Sequence, residues 1–394
     1  MDKKNKNSNV PNLRFNGYTE NWQKYRTIEL GQMQRGKSKH RPRDDEKLYG
    51  GAYPFIQTGD IKKANLYIKE YERTYSNYGL SQSKLWSKGT LCITIAANIA
   101  ETAILGLNAC FPDSVIGWIS NEKITNNIFI KYYFDFYKTQ LKRLSVGGAQ
   151  ENLNLDKLEN VYFHIPTLPE QNDITNLLTK IDELIETQIK IIEEYVILKN
   201  SLIHRFFTMD NPKVKLSTIL TEINIKNKNK QIDTVLSVSN KLGFIKQSEQ
   251  FEDREVASDD TSNYKIVNKG DYAYNPARIN VGSIARLINY DKGIISPMYS
   301  CFKINEKKIT YTYFDMFLSS FSFKRQLNKK LEGSVRQCLT FEGMLSMDIE
   351  LPCIETQKSI SNKIDMLNYK IKLESDYREA LIKQKQFLLN NMFI

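Results

Sequence analysis

The feature that most constrains this chain is that it repeats itself. Ile165-Pro166-Thr167-Leu168-Pro169-Glu170-Gln171 returns as Leu351-Pro352-Cys353-Ile354-Glu355-Thr356-Gln357, so Pro166 and Pro352 stand 186 residues apart. Each copy follows a short strand-like run, Val161-Tyr162-Phe163 or Met347-Asp348-Ile349, and precedes a long heptad pattern. The first pattern is Ile174, Leu178, Ile181, Ile185, Gln188, Ile192, Tyr195, Lys199, Leu202 and Phe206; the second is Ile360, Ile364, Leu367, Ile371, Glu374, Arg378, Leu381, Lys385, Leu388 and Met392. Each member has its counterpart at the same offset, and polar interruptions recur at Gln188/Glu374 and Lys199/Lys385. Two unrelated amphipathic helices have no reason to share interruptions as well as period. Neither segment contains an interior Pro or Gly, which predicts two helices of about 35 to 40 residues, or about 55 to 60 Å at about 1.5 Å per residue. A seam that long is not stable wet, and its simplest partner is the other copy, giving an intramolecular coiled coil.

The repeat extends upstream. Gly147-Gly148-Ala149-Gln150-Glu151-Asn152-Leu153 aligns at the same offset with Gly333-Ser334-Val335-Arg336-Gln337-Cys338-Leu339. Lys88-Gly89 before Thr90-Leu91-Cys92-Ile93 resembles Lys269-Gly270 before Asp271-Tyr272-Ala273-Tyr274. The order is therefore globular unit, long helix, globular unit, long helix, with Asp210-Asn211-Pro212 as a linker. The boundaries expected are 1–15 for an N-terminal tail, 16–165 and 211–351 for the globular units, and 166–210 and 352–394 for the helices. Strand-like stretches at Pro54–Ile56, Leu91–Ile95, Val115–Ile119, Thr234–Val238 and Ser283–Leu287 mix with aromatic-rich helical stretches at Ile128–Leu144 and Tyr311–Leu331. The fold class is α+β, two mixed α/β units each followed by a long helix.

Charge says what such a repeat could bind. The formal net charge is +11 and the pI about 9.1, which suits a polyanion, nucleic acid before anionic membrane. No apolar run approaches the roughly 18 residues of a membrane span, and residues 1–11 lack the apolar core of a secretory leader. Five scattered cysteines (Cys92, Cys110, Cys301, Cys338, Cys353) form no C-x-x-C pair and suit a reducing cytoplasm. His40, His164 and His204 have no metal-ligand spacing, so no metal is expected.

Several motifs resemble catalytic ones and fail. Gly31-Gln32-Met33-Gln34-Arg35-Gly36-Lys37-Ser38 matches G-x-x-x-x-G-K-[ST], but Pro42 and the surrounding charge run oppose the helix a phosphate loop needs. Asn275-Pro276-Ala277-Arg278 resembles the N-P-P-[FY] of amino-methyltransferases, but Arg278 replaces the aromatic that holds a flipped base. Asp44-Asp45-Glu46-Lys47 lacks the spacing of a two-metal nuclease. No catalytic residue is expected. Binding chemistry remains. Lys37, Lys39, Arg41 and Arg43 form a cationic loop for phosphates. Gln57, Thr58, Asp60 and Asn98 in the first unit, and Asn275, Arg278 and Asn280 in the equivalent loop of the second, are candidate base readers, with Gln150, Asn152, Arg336 and Gln337 on the Gly-rich loops. Tyr53, Tyr274 and Tyr299 are expected to pack rather than stack on bases.

The plan of unit, helix, unit, helix, with the Pro166–Gln171 start to the first helix, resembles the specificity subunits of type I restriction–modification systems. The opening Val10-Pro11-Asn12-Leu13-Arg14-Phe15 and Trp22 resemble staphylococcal members. The second start keeps only Gln357 of the Glu-Gln pair, so identical partner contacts at both helices are not expected. The resemblance implies two target-recognition domains, each reading half of an asymmetric bipartite site on double-stranded DNA, and an antiparallel coiled coil with pseudo-two-fold symmetry that sets the gap. It implies two modification subunits, which bind S-adenosylmethionine and methylate adenine, and two restriction subunits using ATP and Mg. This chain would carry no cofactor and no catalysis of its own. The rival readings are a coiled-coil scaffold that reads no DNA and an autonomous P-loop nucleotidase.

Overall fold

A computed structural model of the chain describes residues 9–145, 153, 155–207, 211–250, 260–332 and 337–394. The chain forms two compact units, Met1–Ile191 with Glu374–Ile394, and Ile192–Leu373, so each unit takes part of each long helix. The helices are Leu168–Phe206 and Ile354–Met392, 39 residues apiece.

The first unit is built on a sheet in the order Gly31–Arg35, Val115–Ser120, Leu91–Thr94, Thr102–Leu105, Tyr67–Ile68, antiparallel except for the last pair. Its central strand is apolar on both faces because both are covered. Leu91 and Ile93 join the core with Trp118, Phe129 and Phe134, while Cys92 points to the other side with Ile56, Trp86 and Phe111. The helix Asn127–Ser145 packs on the first face through Tyr132, Tyr133 and Phe134, all at most 1% exposed.

The second unit repeats the frame. Leu220–Ile223, Ser300–Ile304, Tyr272–Tyr274 and Ile284–Arg286 form an antiparallel sheet in the order of the first four strands above. What is added differs: a second four-stranded sheet, Gly243–Lys246, Val235–Ser239, Lys292–Ile295, Lys265–Asn268, where the first unit has the pair Tyr49–Phe55 and Arg73–Tyr75. The single helix expected over Tyr311–Leu331 is two, Tyr311–Ser319 and Phe321–Lys330. Ser320 breaks it because its side chain accepts from the Phe323 amide, a better use of serine than a helix interior.

Within the first unit Asp182 meets Lys385 and Gln188 meets Glu374; within the second Lys199 meets Asn368. Rising numbers on one helix meet falling numbers on the other, so the helices pair antiparallel. Asp182 and Asn368 are repeat counterparts, as are Lys385 and Lys199. Gln188 donates to its own counterpart, Glu374, as expected where a local two-fold relates two helices. Ile174, Leu178, Ile181, Ile185, Ile360, Ile364, Leu381 and Leu388 are buried, and Ile192, Tyr195, Leu202, Leu367 and Ile371 half-buried.

Both helix starts are fixed by one glutamine each. The Gln171 amide donates to the Pro166 and Ile124 carbonyls and accepts from the Thr125 hydroxyl. The Gln357 amide donates to the Pro352 and Lys308 carbonyls and accepts from the Thr310 amide. Both are 0% exposed, so these are internal joints, not surfaces for a partner. Glu170 has a different task. It pairs with Arg14 at 2.7 Å through two nitrogens and accepts from the Trp22 indole. The segment expected as a tail is thus anchored from Leu13, whose amide donates to Asn391. Among the described residues no arginine pairs at the counterpart position, Thr356, which is exposed. Thr356→Glu should therefore change stability by under about 0.5 kcal/mol, whereas Glu170→Ala should cost about 2–3 kcal/mol, both read by denaturant unfolding.

Candidate nucleic-acid interface

The expected reading loops occupy equivalent places in the two sheets. Residues 95–101 join Leu91–Thr94 to Thr102–Leu105, and residues 275–283 join Tyr272–Tyr274 to Ile284–Arg286. The first loop is tightly set. Ala97 (φ 61°) and Ala100 (φ 62°) both adopt left-handed backbone that non-glycine residues rarely hold unless their surroundings impose it. The Thr94 hydroxyl donates to the Asn98 carbonyl and accepts from the Glu101 amide, locking the turn and leaving Asn98 half-buried at its tip. In the second loop the Asn275 side chain accepts from the Ala277 amide, and Ser283 N donates to Arg278 O. Arg278 and Asn280 are exposed and Asn275 half-buried.

One leucine after each Gly-rich stretch of the sequence meets these loops. Leu153 N donates to Ile95 O at 3.2 Å, and its counterpart Leu339 N donates to Pro276 O at 3.0 Å. Both leucines are 0% exposed. Gln150, Asn152 and Arg336 lie outside the described residues; Gln337 is exposed. Tyr274 is fully buried, its hydroxyl donating to Leu339 O, and burial pushes that hydroxyl up to about 12. Tyr53 and Tyr299 are half-buried.

The P-loop-like stretch is not a phosphate loop. Gly31–Arg35 is a sheet strand paired with Val115–Ser120, and the residues directly after it, 36–45, form no helix. Gly36 is glycine because a Cβ there would meet the Pro112 and Phe111 carbonyls at 2.3 and 2.4 Å. Lys37, Lys39, Arg41 and Arg43 are all exposed, but two are tethered. Asp113 holds Arg43 at 2.8 Å and Arg41 at 3.9 Å. Arg43, Gln57 and Thr58 line one small cavity of about 170 Å³ with Ser38, Tyr49 and Ser114. Tyr49, Asp113 and Ser114 went unread because nothing local marks residues brought in from distant strands. Asp60 is a correction. It is 6% exposed and accepts from the Gln57 amide, so it caps the helix Thr58–Lys63 and does not face a base.

The helices carry another surface. In the second unit Leu198, Leu202, Met366, Leu367 and Tyr369 line an apolar groove of about 740 Å³; Met366 is 71% and Tyr369 68% exposed. Among the described residues no helix is long and apolar enough to cross a membrane.

Residues 19–194 match the type I restriction modification DNA specificity domain. The chain is 21% identical over 94% of its length to the type I restriction enzyme MjaVIII specificity subunit of Methanocaldococcus jannaschii, covering 92% of that protein. It is 26% identical over 48% of its length to the putative type I restriction enzyme MjaX specificity subunit of the same organism, a match spanning only 43% of that relative. Among solved structures, the type I restriction–modification S subunit from M. genitalium aligns over 98% of this chain and 99% of its own, with a TM-score of 0.59 at 14% identity. A chain from a structure describing complex assembly and conformational transition of the type I R-M system aligns over 94% and 96%, with a TM-score of 0.59 at 13% identity. Residues 19–194 are therefore similar to the type I restriction modification DNA specificity domain, and the whole chain has the fold of the solved S subunits.

Proposed function

We propose that this chain reads an asymmetric bipartite site on double-stranded DNA, one half-site per unit, and positions the methyltransferase and restriction subunits that act there. One observation carries the reading. The two units share a sheet and the Leu153 and Leu339 ties, yet present hairpin loops of different sequence and length on that frame. A shared frame with unlike readers is what unlike half-sites require. The chain acts by recognition, and the catalysis would reside in its partners: two modification subunits with S-adenosylmethionine, and two restriction subunits with ATP and Mg. The apolar groove around Met366 and Tyr369 supports docking of a partner subunit, since exposed apolar surface of that kind marks interfaces. Met366→Asp with Tyr369→Asp should abolish co-purification with the modification subunit and leave the unfolding midpoint unchanged.

The decisive experiment is sequencing of methylated genomic DNA with and without this gene. The expected result is one bipartite adenine-methylated motif that disappears with the gene; no gene-dependent motif would sink the reading. Inserting one heptad into both helices should lengthen the spacer of that motif and leave both half-sites intact. An unchanged spacer would show that the helices do not set the gap.

A further inference from the structure

The second unit contains a basic groove that the reading loops do not account for. It encloses about 610 Å³ between the helix Phe321–Lys330 and the paired strands Lys213–Lys215 and Asp348–Glu350. Five cations line it, Lys213, Lys215, Arg325, Lys329 and Lys330, against two carboxylates, Asp348 and Glu350. The carboxylates are already used: Lys215 pairs with Asp348 at 2.9 Å and Lys213 with Glu350 at 3.8 Å. Arg325, Lys329 and Lys330 are exposed.

The wall carrying these three is rigid. Gln326 donates to the Asp348 carbonyl and accepts from the Asp348 amide, both at 2.8 Å, clamping the helix to the strand. Lys329 and Lys330 in the last turn also suit the negative end of the helix dipole. That does not explain Arg325 one turn earlier, nor a concave surface completed by lysines from another element. The helix ends at Lys330, directly before the segment bridged by Glu332 and Cys338, and the next residue, Leu339, is tied to Pro276 of the reading loop. The chain therefore leads from the cationic wall of the groove to the loop carrying Arg278.

We propose that Arg325, Lys329 and Lys330 form a phosphodiester-binding track for the same DNA whose bases the second unit reads. This rests on the DNA-reading function above. Three exposed cations on a fixed wall supply affinity without base choice. The acidic face of a protein partner is the competing occupant. DNA is favoured because the track leads to the reading loop.

The test uses the full chain assembled with its modification subunits. The triple variant Arg325→Gln, Lys329→Gln, Lys330→Gln is compared with a control removing three exposed lysines of the same unit outside the groove, Lys292→Gln, Lys303→Gln, Lys307→Gln. Binding to a site-bearing and a random duplex is titrated with salt. Each lost phosphate contact lowers the slope of log affinity against log salt by about 0.9, so the groove variant should lose about two to three from the slope on both duplexes, with the methylated sequence unchanged. The control should lose less than half of that. An unchanged slope with intact site binding overturns the track and leaves the DNA-reading function standing. Loss of modification-subunit assembly with an unchanged slope also overturns it and assigns the groove to a protein partner. A wild-type complex with no site preference would instead defeat the DNA-reading function.

Discussion

Asp182→Ala should destabilise the first unit by about 3–5 kcal/mol, the usual cost of leaving one charge of a buried pair alone. The Asp182 side chain is 2% exposed, and its partner Lys385, at 2.7 Å, is 14% exposed. The Tyr132 hydroxyl donates to the other carboxylate oxygen at 2.8 Å, so removing Asp182 strands a hydroxyl as well as an ammonium. Burial pushes the Lys385 ammonium down, and Lys131 nearby pushes the same way. Burial also drives the Tyr132 hydroxyl up, with the charge of Asp182 adding to it. The site thus tolerates charge only as a matched set. The double variant Asp182→Leu, Lys385→Met should recover most of the loss, because a buried pair replaced by packed apolar groups is often neutral. The repeat supplies an internal control. Lys199 and Asn368 occupy the counterpart positions, 3.3 Å apart, with Lys199 half-buried and Asn368 exposed, and Asn368→Ala should cost under about 1 kcal/mol. Denaturant unfolding of the four chains reads the comparison. Equal costs at Asp182 and Asn368 would mean that burial does not distinguish the pairs.

That contrast shows what the amino-acid order makes legible. The seam is a local pattern, so both helices and their pairing follow from period and repeat, whereas the antiparallel sense is what the family resemblance implies. Gln188 and Glu374 were visible as shared interruptions, and they prove to bond to each other. Burial was not visible, because Asp182 and Asn368 sit at the same register and only the fold brings Tyr132 of Asn127–Ser145 onto Asp182. The places of the loops at Asn98 and at Asn275–Asn280 were legible because each follows an aligned apolar strand. Asp60 was misread because a polar residue after a strand signals an exposed loop as readily as a helix cap. Arg14 with Glu170 and Arg43 with Asp113 join residues 156 and 70 apart, and no periodicity connects such pairs. The extra sheet of the second unit lies in the stretch where the repeat is least alike, so alignment with the first unit gave no guide to it.

The helix starts yield the second large effect. Gln357→Leu is expected to cost about 3–5 kcal/mol, since it strips partners from two carbonyls and one amide at a site with no access to water. Gln171→Leu removes the same two kinds of acceptor, but the third group is the Thr125 hydroxyl, which can rotate toward another acceptor where the Thr310 amide cannot. Gln357→Leu should therefore cost more than Gln171→Leu, by about 1 kcal/mol. Glu at either position should be worse still, because it loses the donors and buries a charge. A seam supplies shape but no joint, and each of these side-chain amides bonds a helix start to a carbonyl of the globular unit, Ile124 or Lys308. The consequence for recognition is local. Gln171→Leu should loosen the first unit on its helix and relax one half-site in the methylation map, while Gln357→Leu relaxes the other. If both half-sites degrade together with either variant, the joints support the chain as a whole, and the independence of the two readers fails.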